Sequence, residues 1–273
     1  MDQYLVFGNP IAQSKSPLIH SMFAQQTGQE LQYARMLAVK EDFIEHLETF
    51  FSNPLAQGCN ITAPFKELAA QWVDELSSGA QLAGAINTIK RQPNGRFFGE
   101  TTDGPGLVQD LLRLGIALKN KRILLLGAGG AARGVLKPLL SEEPSLLLVA
   151  NRTAEKAQVL ASLLPSEILE GCGFDALTSY TQPFDLIINS TSASLSGDLP
   201  AIADSVIAAS DCVYDMSYSD KPTVFMQHAS LLGVENVYDG LGMLVGQAAE
   251  SFILWRGVRP LVEPVIQSLR ANL

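Results

Sequence analysis

The sequence is short of the residues that build disulfide frameworks and metal centres. Its 273 residues include three cysteines, Cys59, Cys172 and Cys212, odd in number, widely spaced and without a C-x-x-C. That excludes a disulfide scaffold and suits reduced thiols in a cytoplasm. The three histidines, His20, His46 and His228, are scattered without metal-ligand spacing, so no metal is expected. No apolar stretch approaches bilayer length, and the first residues read as a strand rather than a signal peptide. Basic runs are missing too. With 19 basic against 28 acidic residues the net charge is −9, which argues against a nucleic-acid or anionic-membrane partner. Internal repeats, low-complexity tracts and flexible linkers are also absent. What remains is a composition of 47% hydrophobic and 17% charged residues, enough for an ample core. The length favours two domains.

The chain is organised around Lys121-Arg-Ile-Leu-Leu-Leu-Gly-Ala-Gly-Gly-Ala-Ala-Arg-Gly134. Ile123 to Leu126 read as a buried parallel strand, Gly127-x-Gly129-x-x-Ala132 follows directly, and Ala131, Val135, Leu136 and Leu139 recur at helical spacing. Strand, glycine turn and helix start are the context in which a dinucleotide fingerprint carries meaning. Glycine lets the backbone approach a pyrophosphate, and the unpaired amides and dipole of the helix start favour its charge. Pro138, late in that helix, should cost stability.

Before this stretch, Gln3 to Phe7 reads as a strand. Ser16-Pro17 reads as a capped helix start, closed by Gly28. Residues 31 to 39 alternate as a second strand, and Phe43, Ile44, Leu47, Phe50 and Phe51 share a helical face. A short strand ends at Asn60 to Thr62, and Pro64 opens a helix expected to run to about Leu76. Lys66 then lies in a first turn, where the dipole opposes a cation by about 0.3–1 kcal/mol. It is either an exposed lysine with room to avoid that cost or one held at a strand end to exchange a proton. Residues 85–90 and 96–101 flank Pro93-Asn94-Gly95 as a hairpin, and Asp103 is placed to cap the next helix.

After residue 122 the pattern repeats βα units, with strands at 122–127, 145–150, 184–189, 212–216 and 236–238. Asn151-Arg152-Thr153 follows the second of these, where NAD-binding folds carry an acid for the ribose hydroxyls. An arginine flanked by small polar residues suits a 2′-phosphate, which favours NADP over NAD. Ile188-Asn-Ser-Thr-Ser192 and Tyr214-Asp-Met-Ser-Tyr218 also end strands, where open parallel sheets bind ligands. An apolar helix containing Gln247 and a final amphipathic helix come after the nucleotide unit. They are expected to return to the first unit and leave a cleft between the two.

The joint pattern resembles the shikimate dehydrogenase family over essentially the whole chain. The motifs are Gly8-Asn-Pro with Ser14-Lys-Ser-Pro17, Asn60-Ile-Thr-Ala-Pro-Phe-Lys66, Gly84-Ala-Ile-Asn-Thr88, Thr102-Asp-Gly104, Gly127-Ala-Gly-Gly-Ala131, Asn151-Arg-Thr153 and Asp239-Gly-Leu-Gly-Met243. The resemblance implies an α/β chain with a substrate domain of residues 1–102 and 241–273 and a Rossmann-type, doubly wound NADP domain of residues 103–240. It implies reversible reduction of 3-dehydroshikimate to shikimate by NADPH, with Lys66 exchanging the proton and Asp103 bonding both the lysine and the reacting hydroxyl. Ser14, Ser16 and Tyr218 would grip the substrate carboxylate, and Asn60, Thr62, Asn87 and Gln247 the ring hydroxyls. Gly127, Ala128, Gly129, Gly130 and Ala131 would hold the pyrophosphate, with Asn151, Arg152 and Thr153 around the 2′-phosphate. Thr191, Met216, Gly240 and Met243 would face the nicotinamide. A small molecule is then the expected partner, to a cytoplasmic monomer or homodimer.

Two departures stand out. Glu100-Thr-Thr-Asp-Gly104 replaces the family's usual Asp-Asn-Thr-Asp-Gly, and threonine lacks asparagine's paired donor and acceptor for positioning Asp103. Ala63 stands where a larger aliphatic is common. The nearest alternative is a dual quinate/shikimate enzyme using NAD. It would place an acid at position 152 and lose part of the serine pair. A catalytically silent regulator would lack Lys66 or Asp103, and a folate- or tRNA-linked reductase would lack the Ser14–Ser16 and Asn60–Lys66 stretches.

Overall fold

The computed structural model describes residues 1–272 and divides into two compact units, Met1–Gly106 with Val245–Ser268, and Leu107–Leu244 with residues 269–272. The first unit opens with β1 (Asp2–Gly8), α1 (Ser16–Thr27), β2 (Leu31–Leu37), α2 (Phe43–Ser52) and β3 (Ala56–Ile61). It continues through α3 (Lys66–Trp72), β4 (Glu75–Leu76), α4 (Ser78–Ala83), β5 (Thr88–Arg91) and β6 (Phe97–Glu100) to the start of α5 (Asp103–Arg113). Its sheet runs β2-β1-β3-β5-β6-β4, with β1, β2 and β3 parallel and β5 antiparallel to both neighbours. Phe43, Leu47 and Phe51, one turn apart on α2, bury against Leu5, Phe7, Ile61 and Phe65. Burial of each such side chain stabilises by roughly 1.5–3 kcal/mol.

Four local expectations give way here. Ser16 is the first residue of α1, not its cap: the cap is Lys15, which makes no side-chain bond, while the Ser16 amide turns to Ser14 Oγ at 3.3 Å. Pro64 does not open a helix, because residues 62–65 close a turn through the Phe65 amide and Thr62 carbonyl at 3.1 Å, so α3 starts at Lys66. That helix ends at Trp72, since the Asp74 amide is drawn to the Phe97 carbonyl at 3.0 Å and the chain pairs with β6 as β4. Asp103 is likewise the first residue of α5, with its carboxylate used elsewhere.

The second unit carries β7 (Arg122–Leu126), α6 (Gly130–Ser141), β8 (Leu146–Asn151), α7 (Ala154–Ala161), β9 (Leu169–Gly173) and β10 (Leu186–Asn189). It adds α8 (Asp204–Ala208), β11 (Cys212–Asp215), α9 (Val224–Leu231) and β12 (Asn236–Asp239). The chain then enters α10 (Leu241–Arg256) and α11 (Glu263–Arg270). All six strands are parallel in the order β12-β11-β10-β7-β8-β9. This is the doubly wound order, in which ligands bind where consecutive strands depart to opposite sides. Ile123 and Leu125 pack with α5 and α6, while Leu124 and Leu126 face a second core with Phe225, so the continuous apolar run reflects a sheet covered on both faces. β9 escaped the sequence reading because Leu-Glu-Gly-Cys-Gly has neither alternation nor an apolar run. Its Gly171 lies against the Ala157 backbone of α7, where a Cβ would stand 2.5 Å from the carbonyl oxygen. Pro138 sits inside α6, and nothing in the packing accounts for it.

Candidate active site

The register of the first sheet gathers its polar residues at one edge. Parallel β1 and β3 deliver the segments after Gly8 and Ile61 to the same side. Antiparallel β5 begins there, with Thr88 opposite Asn60, and β6 ends there, with Glu100 opposite Thr88. Ser14, Ser16, Asn60, Thr62, Lys66, Asn87 and Asp103 therefore share one sheet edge, and α10 contributes Gln247 and Ser251 through the contacts below.

Lys66 Nζ donates to Asp103 Oδ2 at 2.7 Å. The two side chains keep 35% and 22% of their surface, so the pair is partly ordered yet open to a ligand. The carboxylate answers the puzzle of a cation at a helix start, offsetting the dipole that opposes it. Asp103 Oδ1 accepts from Asn87 Nδ2 at 2.8 Å. The Asn87 amide can be oriented only one way, since its Oδ1 accepts from the Thr102 backbone N–H at 2.9 Å. Its Nδ2 also reaches Thr102 Oγ1 at 2.9 Å and Gln247 Oε1 at 3.2 Å. Asn87 and Thr102 thus position Asp103. Thr101 takes no part in this, for its amide turns to Glu100 Oε1 at 2.9 Å. Glu100 itself receives the hydroxyl of Ser77, the α4 cap. The departure at residues 100–101 is absorbed by α4, away from the carboxylate of Asp103.

Asn60 is turned inward. Its Nδ2 lies 3.0 Å from each of the Asn87 carbonyl, Thr88 Oγ1 and Ser251 Oγ, and its Oδ1 accepts from the Tyr33 hydroxyl at 2.6 Å. Burial, with Cys59 nearby, holds that phenol well above its usual range, so Tyr33 remains the donor. Both ends of the Asn60 amide are thus engaged within the protein. Ser14 and Ser16 bring their hydroxyls to 3.3 Å of one another, and Arg35 pins the loop through the Ser14 carbonyl at 3.0 Å (Nε) and 2.5 Å (Nη2). Thr62 is fixed by its amide on the Phe7 carbonyl at 2.9 Å, with its methyl against Gly8.

In the second unit a cavity of about 880 Å³ opens beside β7 and β10. Gly127, Ala128, Gly129, Gly130, Ala131, Asn151, Arg152, Thr153 and Thr191 all line it. Gly127 has φ +106°, and a Cβ there would meet Ser190 Oγ at 2.7 Å, so both torsion and space demand glycine. Thr153 is the cap position of α7 but its hydroxyl makes no cap bond, which leaves it for a ligand. Lys156, one turn further on, adds a second cation to the lining. Met216, Gly240 and Met243 lie outside this lining, with Met243 in the core and Gly240 packed on the Met216 backbone. Tyr218 also belongs to the second unit. It is half-buried, and burial with Asp239 nearby raises its hydroxyl above 10, keeping it a proton donor.

Sequence reasoning missed Thr88, Ser251, Tyr33 and Lys156. Ser251 follows Gln247 by one helical turn and Lys156 follows Thr153 by three residues, so spacing could have found both. Tyr33 carries no local signal, since only the strand order brings it to Asn60.

Three family models match the chain: a shikimate dehydrogenase substrate binding domain over residues 6–89, shikimate / quinate 5-dehydrogenase over 108–197, and the shikimate 5′-dehydrogenase C-terminal domain over 240–270. A shikimate dehydrogenase (NADP(+)) of Vibrio atlanticus is 52% identical, covering 100% of this chain and 98% of its own. An Ael1 enzyme from Pseudomonas putida superposes with a TM-score of 0.94 at 44% identity, over 98% of each chain. Shikimate 5-dehydrogenase from Thermus thermophilus, solved with NADP(H) and shikimate, gives 0.85 at 30% identity over 100% of both.

Proposed function

The chain belongs to the shikimate dehydrogenase family, and we propose from that premise that it catalyses the reversible NADPH-dependent reduction of 3-dehydroshikimate to shikimate in aromatic biosynthesis. The observation that carries the reading is the Lys66–Asp103 pair at 2.7 Å, open to a ligand at the sheet edge. NADPH, when bound, supplies the hydride. The second unit fits it: the glycine turn exposes backbone to a pyrophosphate, Arg152 and Lys156 offer cations to a 2′-phosphate, and no acid stands at the end of β8.

As the ketone becomes an alcohol, its oxygen gains charge and then a proton. Lys66 donates that proton from its ammonium group, and in the oxidation direction takes it back as the neutral amine. Asp103 orients both partners. Two of its lone pairs serve Lys66 and Asn87, and the others remain for the substrate hydroxyl. The hydroxyls of Ser14, Ser16 and Tyr218 are the expected grip on the carboxylate, with Asn60, Thr62, Asn87 and Gln247 on the ring hydroxyls. We read the protein as cytoplasmic. Among the described residues no helix is long and apolar enough to cross a membrane.

The matched model is shared with quinate enzymes, so the decisive assay pairs shikimate and quinate with NADP⁺ and NAD⁺. Only shikimate with NADP⁺ should turn over well. Lys66→Ala should abolish turnover while NADP⁺ affinity changes little. Equal rates with quinate would replace the substrate assignment, and a fully active Lys66→Ala would remove the proton-transfer role.

A further inference from the structure

Asp239-Gly-Leu-Gly-Met243 holds two glycines, and each has its own steric reason. A Cβ at Gly240 would clash with the Met216 carbonyl, so the turn after β12 presses on the turn after β11. A Cβ at Gly242 would clash with the carboxylate of Asp110, 3% exposed on α5. The first turn of α10 is therefore seated directly on a buried carboxylate, where the unpaired amides and dipole of a helix start favour negative charge. Asp110 is held on both sides. Its Oδ2 accepts from the Tyr214 hydroxyl at 2.7 Å, and its Oδ1 from Arg113 Nε at 2.9 Å, with Nη2 at 2.8 Å. Tyr214 itself is wholly buried on β11. From the other flank Arg270 grips Asp239 at 2.8 and 2.5 Å, and Asp239 accepts the Leu241 amide at 3.2 Å.

We propose that Asp110 and Tyr214 are positioning residues for the reducing end of the dinucleotide, fixing the Gly240–Met243 turn through the seat that the Asp110 carboxylate, held by the Tyr214 hydroxyl, forms under Gly242. The inference rests on the reading that Met216, Gly240 and Met243 face the nicotinamide. These residues lie outside the cavity that holds the glycine turn and Arg152, so the network is separate from the groups expected to bind the pyrophosphate and 2′-phosphate.

The test compares two ligands, NADP⁺ and 2′,5′-ADP, by calorimetry on Tyr214→Phe, which keeps the ring and removes the hydroxyl. Loss of one buried hydrogen bond predicts about fivefold weaker NADP⁺, with 2′,5′-ADP unchanged. In turnover, kcat should fall about tenfold with KM for shikimate little altered, as expected for a misplaced reacting carbon. Arg113→Met, half-exposed and gentler on folding, should give the same split at smaller size. Parallel weakening of both ligands, or an unchanged kcat with only a lower Tm, would reduce the network to plain scaffolding and overturn the proposal. Absence of wild-type turnover would refute the proposed reaction instead, while the two-ligand comparison would still decide this point.

Discussion

His20 makes a prediction that can be worked through in numbers. It lies one turn beyond Ser16 on α1, wholly buried, stacked on Tyr33 at 4.4 Å and 9°, with Trp255 at 5.3 Å and Phe23 at 6.0 Å. Neither ring nitrogen has a partner in hydrogen-bonding geometry. Burial drives its pKa from 6.5 down to about 3, and the nearby Asn60 amide opposes this only weakly. The unfolded chain therefore binds a proton near pH 6.5 that the native chain refuses until about pH 3. Stability from this residue is complete above pH 6.5 and is lost as the pH falls through that window. At pH 5 the loss is about 2 kcal/mol relative to pH 7.5, since the unfolded imidazole is some thirtyfold more protonated than neutral there. His20→Phe keeps a ring in the stack and removes the titration. Overpacking shifts its absolute stability, so the quantity to read is the difference between urea-derived ΔG values at pH 7.5 and pH 5. Wild type should lose about 2 kcal/mol more than the variant across that interval. Equal losses in the two proteins, or a native imidazole titrating near pH 6.5 by NMR, would refute the reasoning.

Two further outcomes follow from packing and charge. Arg152→Ala should raise KM for NADP⁺ by roughly ten- to a hundredfold and leave KM for NAD⁺ nearly unchanged, because a charge-assisted bond to phosphate contributes about 1.5–3 kcal/mol; steady-state kinetics with both cofactors decide it. At Gly58 a Cβ would run into Trp255 and stand 2.6 Å from the Ile89 carbonyl, which accepts from Trp255 Nε1 at 2.9 Å. Gly58→Ala should therefore cost about 2–4 kcal/mol in a urea melt with unchanged m-value, the sum of overpacking and one lost hydrogen bond. A loss below 1 kcal/mol would mean that the indole moves aside freely.

The site was legible where chemistry is local and illegible where it depends on strand order. Lys66 announced itself as a cation at a helix start, and Arg152 as a cation where an acid is usual. Both signals exist within a few residues of chain. The partner roles were harder. Asp103 reads equally well as a cap, and only the structure shows its carboxylate divided between Lys66 and Asn87. The inward turn of Asn60, an amide that the sequence offered to a ligand, depends on Tyr33, two strands away. The residue pair 100–101 looked like a threat to Asp103, yet Glu100 spends itself on Ser77. α3 began two residues late and ended four early, because turn and strand bonds competed with helix propensity and prevailed.

By itself the sequence determined which segments could be strands or helices, where glycine was compulsory, and what chemistry the exposed ends could offer. Apolar period, backbone torsion and residue type are properties of short stretches, and they survive in one dimension. Tertiary structure alone decided which polar groups meet. Lys66 with Asp103, Tyr33 with Asn60 and Tyr214 with Asp110 are separated by 37, 27 and 104 residues, and no periodicity records such pairings. They exist because a sheet order and a returning helix bring those backbones together, and because a buried polar atom must be satisfied by whatever then stands beside it.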